Sequence, residues 1–506
     1  MLSLLAAVAV WHAPLGAAPG SSVVAPPGSP VPPLAYHPTR RDSILVFGAH
    51  PDDETLGAGG MIHAATTVGA RVRVVTFTNG DGYVEGVDVG FRTLFSTPGQ
   101  FIAYGKRRQQ EALAAAAHLG VPPSQVTFLG YPDRGLPALW GSAWNCRHPY
   151  TSPYTRRNRS PYPLGYRAQA AYCGENVLED VETLLREDRP TVIVTHSPVD
   201  SHRDHWAAAA FVAAALERRS LEDPAWTKMV HVWTYLVHHG MWPVPEAYAP
   251  DLFLNPPRDL AGTGMEWAQF PIGLGDEAAK RLAIREYSSQ VELLRTYMLS
   301  FVRRNELFAR PPQVWPSRLE GAGLSLAIPE GWDRVPPAIR VPAGGSLLHA
   351  AEGSVNLESI ALAQDSAHLY VALRLRHRAI REAQYRLEFR LLYRDGHLGR
   401  LPLLFQVPRS LTARHTLPGD LTLPSGAVAR SVGPRIYVVL PLGPLGDPVS
   451  ALFQAATAGP LKTLIDRSPW TLVHLDLPRR GHPAGNSPAL PPVWPRSEDL
   501  MGIRGH

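Results

Sequence analysis

Lysine is scarce in this sequence, since only four of its 49 basic residues are lysines and the rest are arginines. The arginines are scattered along the chain, and the net charge is only +5 over 506 residues. A nucleic-acid-binding surface gathers positive charge on one face or in one tract. We therefore expect no nucleic-acid partner, although the isoelectric point is about 9.2.

Cysteine is also rare. Cys146 and Cys173 are the only two, and they form neither a CxxC pair nor a Cys/His pair, which argues against a cysteine-based metal site or nucleophile. Both lie in an insertion rich in proline, tyrosine and arginine. In an oxidising compartment they can pair and staple this segment; the alternative is two unpaired buried thiols.

The chain lacks any run of the roughly 18 apolar residues that a membrane-spanning helix needs. Its start carries a shorter apolar run, Leu2–Trp11, followed by small residues and a Pro/Gly/Ser spacer. This pattern resembles a secretory signal. We expect a secreted or cell-envelope protein with no membrane span once the signal is removed. The alternative is a cytosolic enzyme whose start codon is assigned too far upstream.

The length of 506 residues predicts more than one domain, because single cores stop growing near about 250–300 residues. A hydrophobic content of 45% with 18% charged residues is typical of globular chains. Shifts in composition predict five parts: a signal peptide and Pro-rich linker (1–34), an α/β domain (35–312), a Pro/Gly-rich linker (313–345), a β-sandwich domain (346–480) and a Pro-rich tail (481–506).

Residues 43 to about 236 alternate short β-branched runs with helical segments. Ser43–Ala49, Arg71–Thr78 and Thr191–Thr195 are predicted strands, and residues 57–70 and 106–119 are predicted helices between them. This alternation is typical of a Rossmann-like, mostly parallel sheet with helices on both faces. Ligands of such sheets bind beyond the carboxyl ends of the strands.

Beyond residue 345 the apolar residues alternate strictly. Leu369, Val371, Leu373 and Leu375 share one face of a predicted strand, and residues 385–393 repeat the pattern. Half-buried antiparallel strands of this kind predict a β-sandwich. On the opposite face we expect solvent-exposed arginines, namely Arg374, Arg376, Arg386, Arg390 and Arg394.

Two short segments carry the candidate chemistry. Gly48–Glu54 follows the first predicted strand and contains one histidine and three carboxylates, and Thr195–His205 follows another strand and opens a helix. Carboxylates packed this closely repel one another unless a cation shares the site. A catalytic zinc takes three N/O ligands and keeps one position for water, and His50, Asp53 and His205 can supply them. The simpler alternative is that Asp200 or Ser201 only caps a helix.

The remaining residues of these segments have predicted catalytic roles. Asp52, beside a metal-bound water, can act as general base and then as general acid toward a leaving amine. His202 can donate a hydrogen bond to the developing oxyanion. Asp204 or Asp200 can orient one of the imidazoles. Metal-assisted amide hydrolysis fits this set.

The two motifs Ala49–Glu54 and His202–His205 resemble the hallmark pair of the LmbE/PIG-L family of zinc-dependent N-acetylglucosamine deacetylases. The resemblance covers about residues 42–310. It implies zinc ligation by His50, Asp53 and His205, one ion per chain. It also implies that two further residues hold sugar hydroxyls, Arg108 and Asp133.

The predicted function is removal of an N-acetyl or related acyl group from an amino sugar or glycan. Two long segments, Gly82–Tyr104 and Leu136–Tyr172, depart from the family pattern and leave the substrate open. One alternative is an amidase for another amide, such as an amino-sugar–thiol conjugate or an N-acylated natural product. A second is a non-catalytic carbohydrate-binding protein, and the metal could be a divalent ion other than zinc.

Overall fold

The computed structural model describes residues 31–310, 313–320, 323–326, 329–342, 353–407, 410–413, 419–459 and 464–475. The predicted signal segment and the predicted tail 481–506 lie outside the described residues, apart from 31–34. The described chain forms three sheets. None of its helices has both the length and the apolar character needed to cross a bilayer.

The first sheet has seven strands in the spatial order β3-β2-β1-β4-β5-β7-β6. Its strands are β1 Ser43–Gly48, β2 Arg71–Thr78, β3 Val126–Tyr131, β4 Val192–His196, β5 His231–Tyr235, β6 Glu266–Pro271 and β7 Asn305–Arg310. Strands β1 to β5 are parallel, and β6 and β7 form an antiparallel edge. The predicted mostly parallel α/β sheet is therefore confirmed.

Nine α-helices connect and cover these strands within the described residues. They are α1 Asp53–Thr67, α2 Val84–Phe91, α3 Pro98–His118, α4 Leu136–Trp140, α5 Gly174–Asp188, α6 Arg203–Glu222, α7 Pro224–Thr227, α8 Leu274–Glu286 and α9 Ser288–Leu299. Helix α3 begins earlier than predicted because the Thr97 side chain accepts a hydrogen bond from the Gln100 N–H and Pro98 occupies the first turn.

Both faces of the first sheet are buried. Along β1, Ile44 and Val46 enter one hydrophobic core, while Leu45 and Phe47 enter the other. Alternate residues of a strand point to opposite faces, so a strand that is apolar throughout must be covered on both sides. Helices on both faces are therefore confirmed.

The C-terminal part is rich in strands, which form two mostly antiparallel sheets. One contains β9 Ser317–Arg318, β10 Pro337–Arg340, β11 Leu357–Gln364, β12 His368–Leu375, β16 Val428–Val432 and β17 Arg435–Pro441. The other contains β8 Gln313–Val314, β13 Gln384–Leu392, β14 Leu398–Gln406, β15 Ser410–Ala413, β18 Ser450–Ala458, β19 Leu464–Arg467 and β20 Thr471–His474. Strands β8, β9 and β10 come from the predicted linker 313–345. The domain boundaries stay predictions.

The two C-terminal sheets share one core. The four apolar residues predicted on one face of β12 all lie in it, together with Leu387 and Phe389 of β13. The opposite face of β12 is also partly covered, since Tyr370 and Ala372 pack with Trp332 of a short 3-10 helix, Pro329–Arg334.

The expectation that Arg390 faces solvent is wrong. Its side chain is 2% exposed, and its guanidinium lies 3.9 Å from the centroid of the Trp144 ring and donates to the Trp140 carbonyl. Both tryptophans belong to the α/β part of the chain. The alternation was predicted correctly, but sequence periodicity does not show that another part of the protein covers this face.

Candidate metal centre and active site

The candidate functional residues meet at the carboxyl edge of the first sheet. His50 and Asp53 follow β1, Asp133 follows β3, and His205 lies in the first turn of α6, which follows β4. Helix α1 approaches β5 closely here, because a Cβ atom on Gly57 would lie only 2.1 Å from a ring carbon of Tyr235. Loops distant in sequence are thus brought together.

Three buried side chains converge on one point. His50 Nδ1 lies 3.2 Å from Asp53 Oδ2 and 3.2 Å from His205 Nε2, and the latter two atoms are 3.4 Å apart. In a tetrahedral zinc site with bonds of about 2.0–2.1 Å, neighbouring ligand atoms are about 3.3 Å apart. The three predicted ligands therefore fit a divalent ion.

His196 is a fourth side chain close to the point where these three atoms converge. Its Nε2 atom lies 3.2 Å from Asp53 Oδ2, and its ring stacks on that of His205 at 3.9 Å between centroids. However, Nε2 accepts a hydrogen bond from the Ala49 N–H at 2.9 Å. Since that lone pair is already engaged, His196 is better suited to packing beneath the site than to ligation.

Two carboxylates hold the far side of the His50 ring. Its Nε2 atom lies 3.1 Å from Asp133 Oδ1 and 3.3 Å from Asp204 Oδ2. Asp204 is itself fixed, because it accepts hydrogen bonds from the N–H groups of Arg134 and Leu136. A proton held at Nε2 leaves Nδ1 free to ligate.

Asp200 holds His205 in the same way. One of its oxygens, Oδ2, lies 3.1 Å from His205 Nδ1. The carboxylate also accepts hydrogen bonds from the N–H groups of His202, Val237 and His238. Asp200 and Asp204 therefore orient different imidazoles, a division of roles that the sequence left open.

Asp52 lies beside the three converging atoms in a strained conformation, with φ at 127°. Such backbone angles are costly for a non-glycine residue and cluster at functional sites. Its Oδ2 atom accepts a hydrogen bond from Arg108 Nη2 at 3.1 Å. Burial raises the pKa of Asp52 to about 8, with Arg108 opposing and Asp53 reinforcing the shift.

A hydrogen-bond chain that the sequence did not indicate supports this strained residue. Glu54 Oε2 accepts from the Asp52 N–H at 3.3 Å, and Glu54 Oε1 accepts from the Tyr287 hydroxyl at 2.5 Å. Glu54 thus holds the backbone of Asp52. Only the tertiary fold brings Tyr287 here, because it lies 233 residues after Glu54 in the chain.

His202 is the residue preceding α6 rather than a member of its first turn. Its Nδ1 atom accepts a hydrogen bond from the Asp204 N–H at 3.3 Å. Burial and then the neighbouring His205 and His50 lower the pKa of His202. In the neutral ring the proton then sits on Nε2, which is the donor that its predicted role requires.

A cavity of about 240 Å³ opens onto these residues. One wall is polar and includes Arg108, Asp133 and Arg134, while the other includes Leu294 and Met298 of α9. The predicted sugar-binding residues therefore line the cavity. Each also has a protein partner, since Arg108 bonds Asp52 and Asp133 accepts from the Gly82 N–H at 2.8 Å.

His238 also lines the cavity. Its ring stacks on that of Tyr297, and the Tyr297 hydroxyl lies 2.9 Å from His238 Nδ1. His239 instead contacts Asp259 at 2.7 Å. The two neighbouring histidines thus have different surroundings.

Both segments that depart from the family pattern reach this edge. Residues 82–104 include α2 and the start of α3 rather than forming one long loop. The second segment begins with α4 and is closed by a disulfide between Cys146 and Cys173. Its Tyr162 donates to Asp81 at 2.5 Å, and Asp81 accepts from the Asp133 N–H.

The fold and site define an α/β protein with a buried cluster of histidines and aspartates at the carboxyl edge of its sheet. Residues 45–216 match the family described as PIG-L, GlcNAc-PI de-N-acetylase. This part of the chain contains both motifs, and over this span the chain is similar to the PIG-L (LmbE-like) family.

Two relatives are both described as 1D-myo-inositol 2-acetamido-2-deoxy-α-D-glucopyranoside deacetylase. The protein of Mycobacteroides abscessus is 32% identical over 200 residues, which are 39% of this chain and 61% of the relative. That of Kribbella flavida is 30% identical over 218 residues, 40% of this chain and 64% of the relative. The chain thus spans less than two thirds of the length of either relative.

A solved structure, N,N'-diacetylchitobiose deacetylase from Pyrococcus horikoshii, aligns over 52% of this chain and 82% of its own, with 18% identity and a TM-score of 0.31. A score this low supports no comparison of the sites. The likeness to the family rests on the sequence matches.

Proposed function

We propose that this protein is a metal-dependent hydrolase, with zinc as the natural ion, that removes an N-acetyl or related acyl group from an amino sugar or glycoconjugate. The observation that carries the proposal is the convergence of His50 Nδ1, Asp53 Oδ2 and His205 Nε2 at 3.2–3.4 Å, with Asp52 beside them. The descriptions of the family and of the two relatives, which name amino-sugar deacetylation, support the substrate class.

A divalent ion held by His50, Asp53 and His205 would polarise the substrate carbonyl and make water a stronger nucleophile at neutral pH. Asp52 Oδ2 is bonded to Arg108, and within the described residues Oδ1 has no hydrogen-bond partner. This second oxygen takes the proton of the attacking water and passes it to the leaving amine. Arg108 holds the carboxylate in place during both transfers.

Other side chains stabilise the oxyanion and orient the imidazole rings. The Nε2–H group of His202 donates to the carbonyl oxygen as negative charge develops there. Asp204 and Asp133 fix the His50 ring, and Asp200 fixes the His205 ring. Since these carboxylates are anchored by backbone N–H groups, the site needs little rearrangement before reaction.

The experiment measures acetate release by the zinc-loaded protein from acetylated chitooligosaccharides, from small N-acetylglucosamine conjugates and from amino-sugar–thiol amides. In an Asp52→Asn variant we expect zinc to remain bound at one ion per chain and the rate to fall at least about 100-fold, the lower range for a general base. Asp251→Asn, a change at an exposed carboxylate, serves as control.

The outcomes separate the candidate functions. Loss of zinc together with activity in Asp52→Asn would contradict the role of Asp52 as base. Release only from thiol conjugates would favour the amidase alternative. Saccharide binding without acyl release by the metal-loaded protein would establish a binding protein instead.

We also propose that the protein acts in the cell envelope or outside the cell. The disulfide between Cys146 and Cys173 supports this location, because such bonds persist in oxidising compartments. Fractionation of the native cell tests it, and recovery only from the cytosol with both thiols reduced would contradict it.

A further inference from the structure

The last residue of β19, Arg467, and the break before β20, residues 468–470, lie against the segment that carries His202 and His205. Arg467 Nη2 donates to the backbone carbonyl of Asp200 at 3.3 Å. Its guanidinium lies 4.9 Å from the centroid of the Trp206 ring. A side chain of the strand-rich part therefore touches both ends of the seven-residue stretch, 200–206, that holds these two histidines.

Asp200 transmits this contact to the candidate metal site. Its carbonyl accepts from Arg467, while its carboxylate lies 3.1 Å from His205 Nδ1 and accepts from the His202 N–H at 2.8 Å. Asp200 and His205 are fully buried. A shift of the Asp200 backbone would consequently move the group that orients a ligand ring.

Aromatic packing holds the other end of the stretch. Trp206 directly follows His205, and its ring lies 6.4 Å from that of Trp470 between centroids. Trp470 also packs edge-on against Trp140 at 5.4 Å. A guanidinium over an indole face is a favourable cation–π arrangement. Arg467 and Trp470 thus fix the start of α6 from the C-terminal side of the protein.

We propose that Arg467 is a positioning residue for the metal centre, and that the strand-rich part of the chain helps to assemble this centre. The inference rests on the proposed function, because it assumes that His205 ligates the ion. Arg467 acts through Asp200 and touches neither the ion nor the substrate.

The test compares zinc affinity of the full-length protein, stripped of metal and titrated against a competing chelator, in four forms. Arg467→Met keeps the apolar stem and removes every donor, while Arg467→Lys keeps the charge with a single donor group. Arg430→Met is the matched control, since Arg430 donates to the Leu326 carbonyl at 3.0 Å in the same strand-rich part. Wild type is the fourth.

We expect Arg467→Met to bind zinc about tenfold more weakly, the lower end for loss of an outer partner of a ligand. The absorption spectrum of the cobalt-substituted protein should change as well, because the His205 ring is no longer held. The zinc affinity of Arg467→Lys should lie between those of wild type and Arg467→Met. Arg430→Met should match wild type in affinity and spectrum.

Wild-type affinity and spectrum in Arg467→Met would overturn the inference, as would an equal loss in Arg430→Met, which would indicate general loosening. If Arg467→Met does not fold, Arg467→Lys provides the test. Wild-type zinc affinity and cobalt spectrum in Arg467→Lys would then overturn the inference. Failure of the wild-type protein itself to bind a divalent ion would refute the proposed function, which separates the two results.

Discussion

Replacing Arg108 with methionine should destabilise the protein strongly above about pH 8, where Asp52 is ionised in the folded protein, because its buried carboxylate then loses its cation. Their side chains are 3.1 Å apart, and Arg108 is 3% exposed. Two unit charges at this distance interact by about 5 kcal/mol at an effective dielectric constant of about 20, which is an upper limit. Breaking a buried pair from one side costs about 3–5 kcal/mol, so we expect a loss in that range.

A double-mutant cycle separates the ion pair from the rest of the loss. Arg108 also donates to the Pro51 carbonyl at 2.6 Å, and that bond disappears in either background. Asp52→Asn removes the orphaned charge, so the double variant should be more stable than Arg108→Met alone. The two changes should couple by at least about 1 kcal/mol, as residues in direct contact do.

The assay is denaturant unfolding of the four metal-free proteins, because a bound ion would add its own stabilisation. Arg107→Met, a change at the preceding position of α3, is the control; Arg107 is partly exposed and pairs with Glu111, so its loss should cost less than about 1 kcal/mol. Purely additive losses for Arg108 and Asp52 would refute the reasoning, and so would equal losses in the two arginine variants.

Two further predictions concern the proposed ligand His205 and the buried carboxyl group of Glu217. His205→Ala should lose stoichiometric zinc while the protein remains folded, and undiminished zinc by elemental analysis would rule out His205 as a ligand. Burial raises the pKa of Glu217 from 4.5 to about 7, so the folded state holds its proton more tightly and loses stability as pH rises from about 4.5 through 7. Thermal unfolding should therefore show that Glu217→Gln is more stable than wild type by about 3 kcal/mol at pH 8 and by little at pH 4. An increase in stability that does not depend on pH would contradict the prediction.

The sequence could predict that His50, Asp53 and His205 converge because they lie in two short motifs. His50, Asp52 and Asp53 lie within four positions at a strand end, and His205 follows another strand of the same parallel sheet. In such a sheet the carboxyl ends of the strands share one edge, so convergence follows from topology. The alternation of apolar residues likewise predicted which face of β12 enters the shared core.

The residues that the sequence did not place are those whose role depends on contacts between distant segments. Tyr287 supports Asp52 through Glu54, Arg390 is covered by the tryptophans of another part of the chain, and Arg467 reaches Asp200 over 267 positions. Periodicity predicts whether a side chain points out of its own sheet. It does not predict what packs against it there.

The partners of the buried carboxylates distinguish their roles. Asp200 accepts three backbone N–H groups and Asp204 accepts two, and these bonds favour the charged carboxylate. In Asp204 they oppose burial, which raises its pKa. Asp52 is paired with the Arg108 guanidinium, which opposes the rise of its pKa caused by burial. Asp53 has a single backbone donor and otherwise faces imidazoles, so its charge is the one that a bound cation would balance. In the proposed function, four aspartates that look alike in the sequence thus divide into one ligand, one base and two positioning residues.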